Sequence, residues 1–193
     1  MRALKLQTSP ASEPITTAEA KTHLRVEHSD DDTYIAGLIT SARQYLEAVK
    51  RRAFVTQTWD LWLDGWPDTD VIDLPRPPLV SVTSIVYYDS AHVEATFAAA
   101  DYHVDVDAEP GRIILDSDAS WPSVTLRPAH AVRVRYVAGY GAASAVPESV
   151  KSQLKILVAD AYESRESIVT GTIVSENPGL RRLLHHDRSP AVL

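Results

Sequence analysis

The chain has no cysteine, one methionine and two phenylalanines among its 193 residues. Without cysteine it forms no disulfide and offers no thiolate as nucleophile or metal ligand, which is compatible with a reducing compartment. Long apolar runs are missing too. Nothing approaches the roughly 20 residues of a membrane-spanning helix, and no apolar leader follows Arg2 and Lys5. A secreted or membrane-embedded protein is therefore not expected. Basic charge is scarce: 19 Lys and Arg against 26 Asp and Glu leave −7. The deficit sits in residues 55–140, where 13 acids face 5 arginines. A broad DNA-gripping surface needs several phosphate contacts, so none is expected, although DNA passing nearby without being held is compatible with this balance. Catalytic signatures are also lacking. There is no G-x-S-x-G, and Gly139-Tyr140-Gly141 has neither a Walker lysine nor a third glycine. Those glycines read instead as easing a tight strand-to-helix passage.

What is present is periodicity. Ile35, Leu38, Ile39, Ala42, Leu46 and Val49 recur at spacings of three and four, which predicts a helix over 31–50. Arg43, Gln44, Glu47 and Lys50 occupy much of its other side. Thr16 followed by Glu19 spells a capping box for a short helix to about Leu24. Pro147 is placed to open a third helix to about Glu166, with Val150, Leu154, Leu157, Val158 and Ala161 on one stripe. The two long stripes are expected to close against each other.

Between the helices the period drops to two. Val55 to Leu63, Val71 to Leu74, Val80 to Tyr88, Tyr102 to Val106, Arg112 to Leu115 and Val132 to Tyr136 read as strands. Pro75, Pro77 and Pro78 mark an extended linker or edge. The expected fold is α+β: a small helical bundle with an inserted, mostly antiparallel β subdomain and a C-terminal arm. Residues 1–14 read as a flexible arm, 15–54 and 141–166 as the helical core, 55–140 as the insertion, and 167–193 as a C-terminal docking arm with a short helix. Ile35, Leu38, Ile39, Ala42, Leu46, Val150, Leu154 and Leu157 are the candidate helical core.

Several clusters carry both a chemical and a structural reading. Asp101, His103, Asp105, Asp107 and Glu109 share one strand face, but an extended strand spreads side chains that a metal needs converged. His28 with Asp30 to Asp32 is explained by helix capping. His185-His186-Asp187 has no supporting shell. No metal, cofactor or catalytic residue is expected. Trp59, Trp62, Trp66 and Trp121 read either as subdomain core or as subunit-interface aromatics. Arg51-Arg52 suits a helix C-terminus, whereas Arg181-Arg182 sits early in the segment with Leu180, Leu183 and Leu184 and fits docking onto an acidic surface.

Ile15-Thr-Thr-Ala-Glu-Ala-Lys-Thr-His-Leu-Arg-Val26, then Asp31-Asp32-Thr33-Tyr34-Ile35, resembles the opening of the tailed-phage head-tail connector (adaptor) family, also found in prophages and gene transfer agents. Arg133-Val-Arg-Tyr-Val-Ala-Gly-Tyr-Gly141, Tyr162-Glu163-Ser164-Arg165-Glu166 and Pro178-Gly-Leu-Arg-Arg-Leu-Leu184 with Arg188 extend the likeness over residues 15–188. The resemblance implies a structural protein, not an enzyme, forming a dodecameric homo-oligomeric ring at the virion neck after a stage in the host cytoplasm. Its implied partners are the portal protein, head-completion (stopper) or tail-terminator proteins, and double-stranded DNA passing through the lumen without sequence-specific binding; no membrane is involved. Leu180, Arg181, Arg182, Leu183, Leu184 and Arg188 are then the candidate portal or neighbour contacts. The alternative readings are an intracellular protein-binding module unrelated to virions and a small metal-dependent hydrolase.

Overall fold

The computed structural model describes residues 2–163 and Ser189. They group into two compact units. One takes in the described residues of Met1–Pro10 and Arg51–Tyr140 with Ser189; the other runs over Ala11–Lys50 and from Gly141 through the third helix.

The helical unit holds α1 (Thr17–Leu24), α2 (Asp32–Lys50) and α3 (Glu148–Glu163). The capping box forms as the sequence predicts: the Glu19 amide donates to Thr16 Oγ1 at 3.1 Å, and the Thr16 amide donates to Glu19 Oε2 at 2.7 Å. Helix α1 stops at Arg25, which takes the left-handed conformation (φ 58°). Helix α2 packs on both α1 and α3. Ile15, Ala20, Ile35, Ile39, Ala42, Leu46, Val146, Val150, Leu154 and Val158 fill the core. Leu38 and Leu157 are half-buried at the margin of that stripe.

The polar side of α2 departs from simple amphipathy. Arg43, Glu47 and Lys50 are buried, while Thr33, Tyr34, Ala36, Gly37, Ser41, Gln44, Tyr45 and Ala48 face outward. Arg43 turns inward because it is met there by acids. Its Nε donates to Glu13 Oε2 at 2.7 Å and its Nη1 to Glu47 Oε2 at 2.9 Å. A buried guanidinium held by two carboxylates keeps its charge where an unpaired one would not. Burial works to lower the Arg43 pKa, but the hydrogen bonds and charges of Glu13 and Glu47 outweigh it and leave the pKa raised.

The β-rich unit holds two antiparallel sheets that share one core. The larger contains β1 (Arg2–Thr8), β2 (Gln57–Leu63), β4 (Leu79–Tyr88), β5 (Glu94–Phe97) and β8 (Val132–Ala138), in the order β1-β2-β8-β4-β5. The smaller is β3-β7-β6, from β3 (Val71–Leu74), β6 (Tyr102–Asp105) and β7 (Gly111–Leu115). Two strands differ from expectation. The N-terminal stretch read as a flexible arm is strand β1, paired with β2 from Arg2↔Leu63 to Thr8↔Thr58. Leu4 and Leu6 alternate with Ala3 and Lys5, and the neighbouring strand gives that short pattern something to pair with. Strand β5 was too brief and polar to stand out; its register against β4, Ile85↔Phe97 to Tyr88↔Glu94, places it.

Gly139 marks the end of β8. Its φ is +127°, and a Cβ there would lie 2.6 Å from the Val55 carbonyl oxygen. The Gly139 and Tyr140 amides donate to the carbonyls of Pro78 and Phe54. Backbone closeness, rather than a phosphate, is what this glycine serves.

Candidate interaction surfaces

Among the described residues, no group of three or more His, Asp or Glu is placed to hold a metal. The acidic series of 101–109 disperses. Strand β6 ends at Asp105, whose Oδ2 accepts from Arg112 Nε at 3.0 Å and whose Oδ1 accepts from the Ala108 amide at 3.1 Å. The hydrogen bond from Arg112 holds the Asp105 carboxyl below its ordinary pKa. Glu109 is taken by Arg52, in two bonds of 2.8 and 2.5 Å. Hairpin geometry and nearby arginines thus account for Asp105 and Glu109. In the His28 to Asp32 cluster, Asp32 pairs with Lys21 Nζ at 2.6 Å and Asp31 accepts from the Tyr162 hydroxyl.

The four tryptophans do not stand together. Trp66 stacks on Trp121 with centroids 4.8 Å apart and planes 9° from parallel, and both rings pack on Phe97. Trp121 Nε1 donates to the Thr69 carbonyl at 2.9 Å. These two pack against the core between the sheets, with Tyr87 and Tyr102. Trp59 also packs on that core and lies under the Arg76 guanidinium, 5.4 Å from its centroid.

Trp62 belongs to the opposite face of the larger sheet. The register Lys5↔Asp60↔Arg135 and Trp62↔Arg133↔Val86 puts these side chains on one surface. There Trp62 meets Tyr88 and His130, and the guanidinium groups of Arg127 and Arg133 lie over its ring at 5.7 and 5.5 Å. Arg127 sits 3.9 Å from the Tyr88 centroid while its Nε donates to the His130 carbonyl at 3.0 Å. Tyr88 donates its hydroxyl to Glu94, and that bond raises the Tyr88 pKa. Asp60 and Arg135 close a two-pronged pair at 2.7 and 2.8 Å, with the Asp60 side chain buried. This face is a lattice of cation–π contacts and charge pairs. Alternation marked Arg133 and Arg135 as outward-facing; Arg127, in a loop, had no such signal.

Leu180, Arg181, Arg182, Leu183, Leu184 and Arg188 lie outside the described residues. Ser189, just beyond them, is buried and groups with the β-rich unit.

Residues 14–107 match the family model described as phage gp6-like head-tail connector protein. The whole fold is similar to a chain in the neck of an empty gene transfer agent particle with C6 symmetry: TM-score 0.82, 25% identity, covering 99% of this chain and 97% of that one. It is also similar to a chain of the native gene transfer agent virion (TM-score 0.81, 24% identity, 98% and 97% covered). A third match is a chain in the native neck with C12 symmetry (TM-score 0.80, 24% identity, 99% and 97% covered). No curated protein sequence matches significantly.

Proposed function

The chain belongs to the phage head-tail connector family, and from that premise we propose that it is the structural subunit of a ring below the portal. The ring extends the DNA channel and provides the platform for head-completion or tail proteins. The observation that carries this reading is the likeness over 99% of the chain to a subunit of a gene transfer agent neck, the two units included. Twelve copies suit a neck described with twelvefold symmetry. The site chemistry agrees with the reading. The chain's net charge of −7 gives passing DNA no field to hold it.

Within this proposal the segment Leu180 to Arg188 is the portal contact. Leu183 and Leu184 seat in an apolar site, and Arg181, Arg182 and Arg188 answer acids on the partner. Trp62 and its arginine neighbours offer a second contact surface, toward a neighbouring subunit or the tail side. Assembly takes place in the host cytoplasm and ends at the neck of the particle.

Mass measurement of the purified chain, alone and mixed with portal, tests the proposal. The expected result is monomer or weak association alone, and a discrete ring with portal. A fixed dimer indifferent to portal would reject it. Changing Leu183 and Leu184 together to serine is expected to abolish portal attachment while the melting transition stays in place; retained attachment would reject that assignment.

A further inference from the structure

The larger sheet has two edges, and the described residues leave both without a strand partner. Strand β1 pairs only with β2, and β5 only with β4. The two edges differ in charge. Strand β1, Arg-Ala-Leu-Lys-Leu-Gln-Thr, carries Arg2 and Lys5 and no acid; β5, Glu-Ala-Thr-Phe, carries Glu94 and no base. Each edge also leaves an apolar side chain in water: Leu6 is 37% exposed on β1, and Val93, just before β5, is 60% exposed.

We infer that the β1 edge of one copy of this chain takes the β5 edge of the next, so that neighbouring subunits share a continuous sheet. This deepens the ring reading above and rests on it. Every neighbouring pair in the sheet is antiparallel, so β1 and β5, four steps apart, run in the same direction. Copies related by rotation about an axis along the strands keep that direction, and β1 of one copy then lies parallel to β5 of its neighbour. A twofold dimer would instead set β1 against β1, with Arg2 and Lys5 facing their own kind. Like charges across a strand pair disfavour that arrangement, whereas opposite charges favour the head-to-tail one that closes a ring.

The register follows from the faces. Lys5 lies opposite Asp60, and Glu94 lies opposite Tyr88, whose face also carries Arg133 and Val86. Lys5 and Glu94 therefore project from the same side of the sheet. Setting Lys5 beside Glu94 puts Leu4 beside Val93 and Leu6 beside Ala95 on the core side, covering both exposed apolar residues. A register shift after Leu6 confines regular pairing to Arg2–Leu6. A lysine and a bulge on an edge are the devices that deter indiscriminate pairing and leave a matched partner welcome.

The test is a charge swap read as ring yield with portal by mass photometry. Lys5→Glu and Glu94→Lys alone are each expected to lower ring yield about tenfold, and the double swap to restore it. A thermal melt of each variant separates lost pairing from lost folding. Because the chain has no cysteine, Lys5→Cys with Glu94→Cys provides a second readout independent of charge. A short bis-maleimide is expected to link assembled copies into a ladder of multimers. Rings that form equally well in both single swaps, or no ladder in assembled rings, would overturn the pairing and leave the ring reading intact. A wild-type chain that never forms rings would overturn both.

Discussion

The two units solve the problem of a polar group in the core in different ways. Among the described residues of the helical unit every buried hydrophobic side chain is aliphatic or alanine, and a polar centre is Arg43, gripped by Glu13 and Glu47. In the β-rich unit the core between the sheets joins Phe97 and Tyr136 to aliphatic side chains, and the partly buried Trp66 and Trp121 pack against it. Between its sheets the buried polar group is neutral: Tyr136 is fully buried and donates its hydroxyl to the Pro75 carbonyl at 2.7 Å, and burial pushes its pKa far up; the unit's buried charges, Asp60 and Arg52, are paired with Arg135 and Glu109. The difference follows from geometry. Helix stripes meet through short branched side chains, whereas facing sheets stand about 10 Å apart and leave room for rings. A charge is tolerated where helix neighbours can bring two carboxylates, and a single carbonyl suffices for a hydroxyl.

That contrast can be broken most forcefully at Arg43. Arg43→Met is expected to cost about 4 kcal/mol in urea unfolding, because the Glu13 and Glu47 carboxylates would lose the guanidinium they share. A loss under 1 kcal/mol would mean the charge cluster contributes little. In the β-rich unit Trp121→Ala is expected to cost about 3 kcal/mol, through the cavity beside Trp66 and Phe97. Trp62→Ala, on the opposite face of the larger sheet, should cost about 1 kcal/mol in the isolated chain. Equal losses for these two would contradict their assignment to core and surface.

The smallest effect concerns the α1 capping box and sharpens the comparison through pH. The Glu19 carboxyl is held below its usual 4.5, first by the hydrogen bond from the Thr16 amide and then by the Thr16 hydroxyl. A carboxyl depressed on folding stabilises the fold above its unfolded pKa, and that gain is lost as pH falls through the folded value. Glu19→Gln is therefore expected to cost roughly 0.5 kcal/mol at pH 7, after allowance for exposure. The gap between wild type and variant should narrow as pH falls below 4.5; a gap that does not change with pH would assign the effect to something other than ionisation.

Much of this architecture was legible along the chain. The α2 stripe, the Thr16–Glu19 box and the strands at Val71–Leu74, Leu79–Tyr88 and Gly111–Leu115 emerge where local spacing reads them. What escaped reading was whatever depended on a distant partner. Arg2–Thr8 becomes a strand because residues 58–63 stand beside it. Arg43 faces inward because Glu13, 30 residues earlier, waits there. The tryptophans divide between two faces because an even or odd position in a strand chooses the side, while Trp66 and Trp121 lie in loops where no period applies.

By itself the sequence determined where the described helices and most of the strands lie, that no cysteine chemistry is available, and that negative charge gathers in the middle of the chain. Those properties are local or additive, and every residue contributes to them wherever it ends up. Tertiary structure alone decided which charges go inside, which rings share a core and which strands become edges. Such choices hang on pairings between residues far apart in the chain, such as Asp60 with Arg135 at a separation of 75, and a period of two or 3.6 carries no record of them.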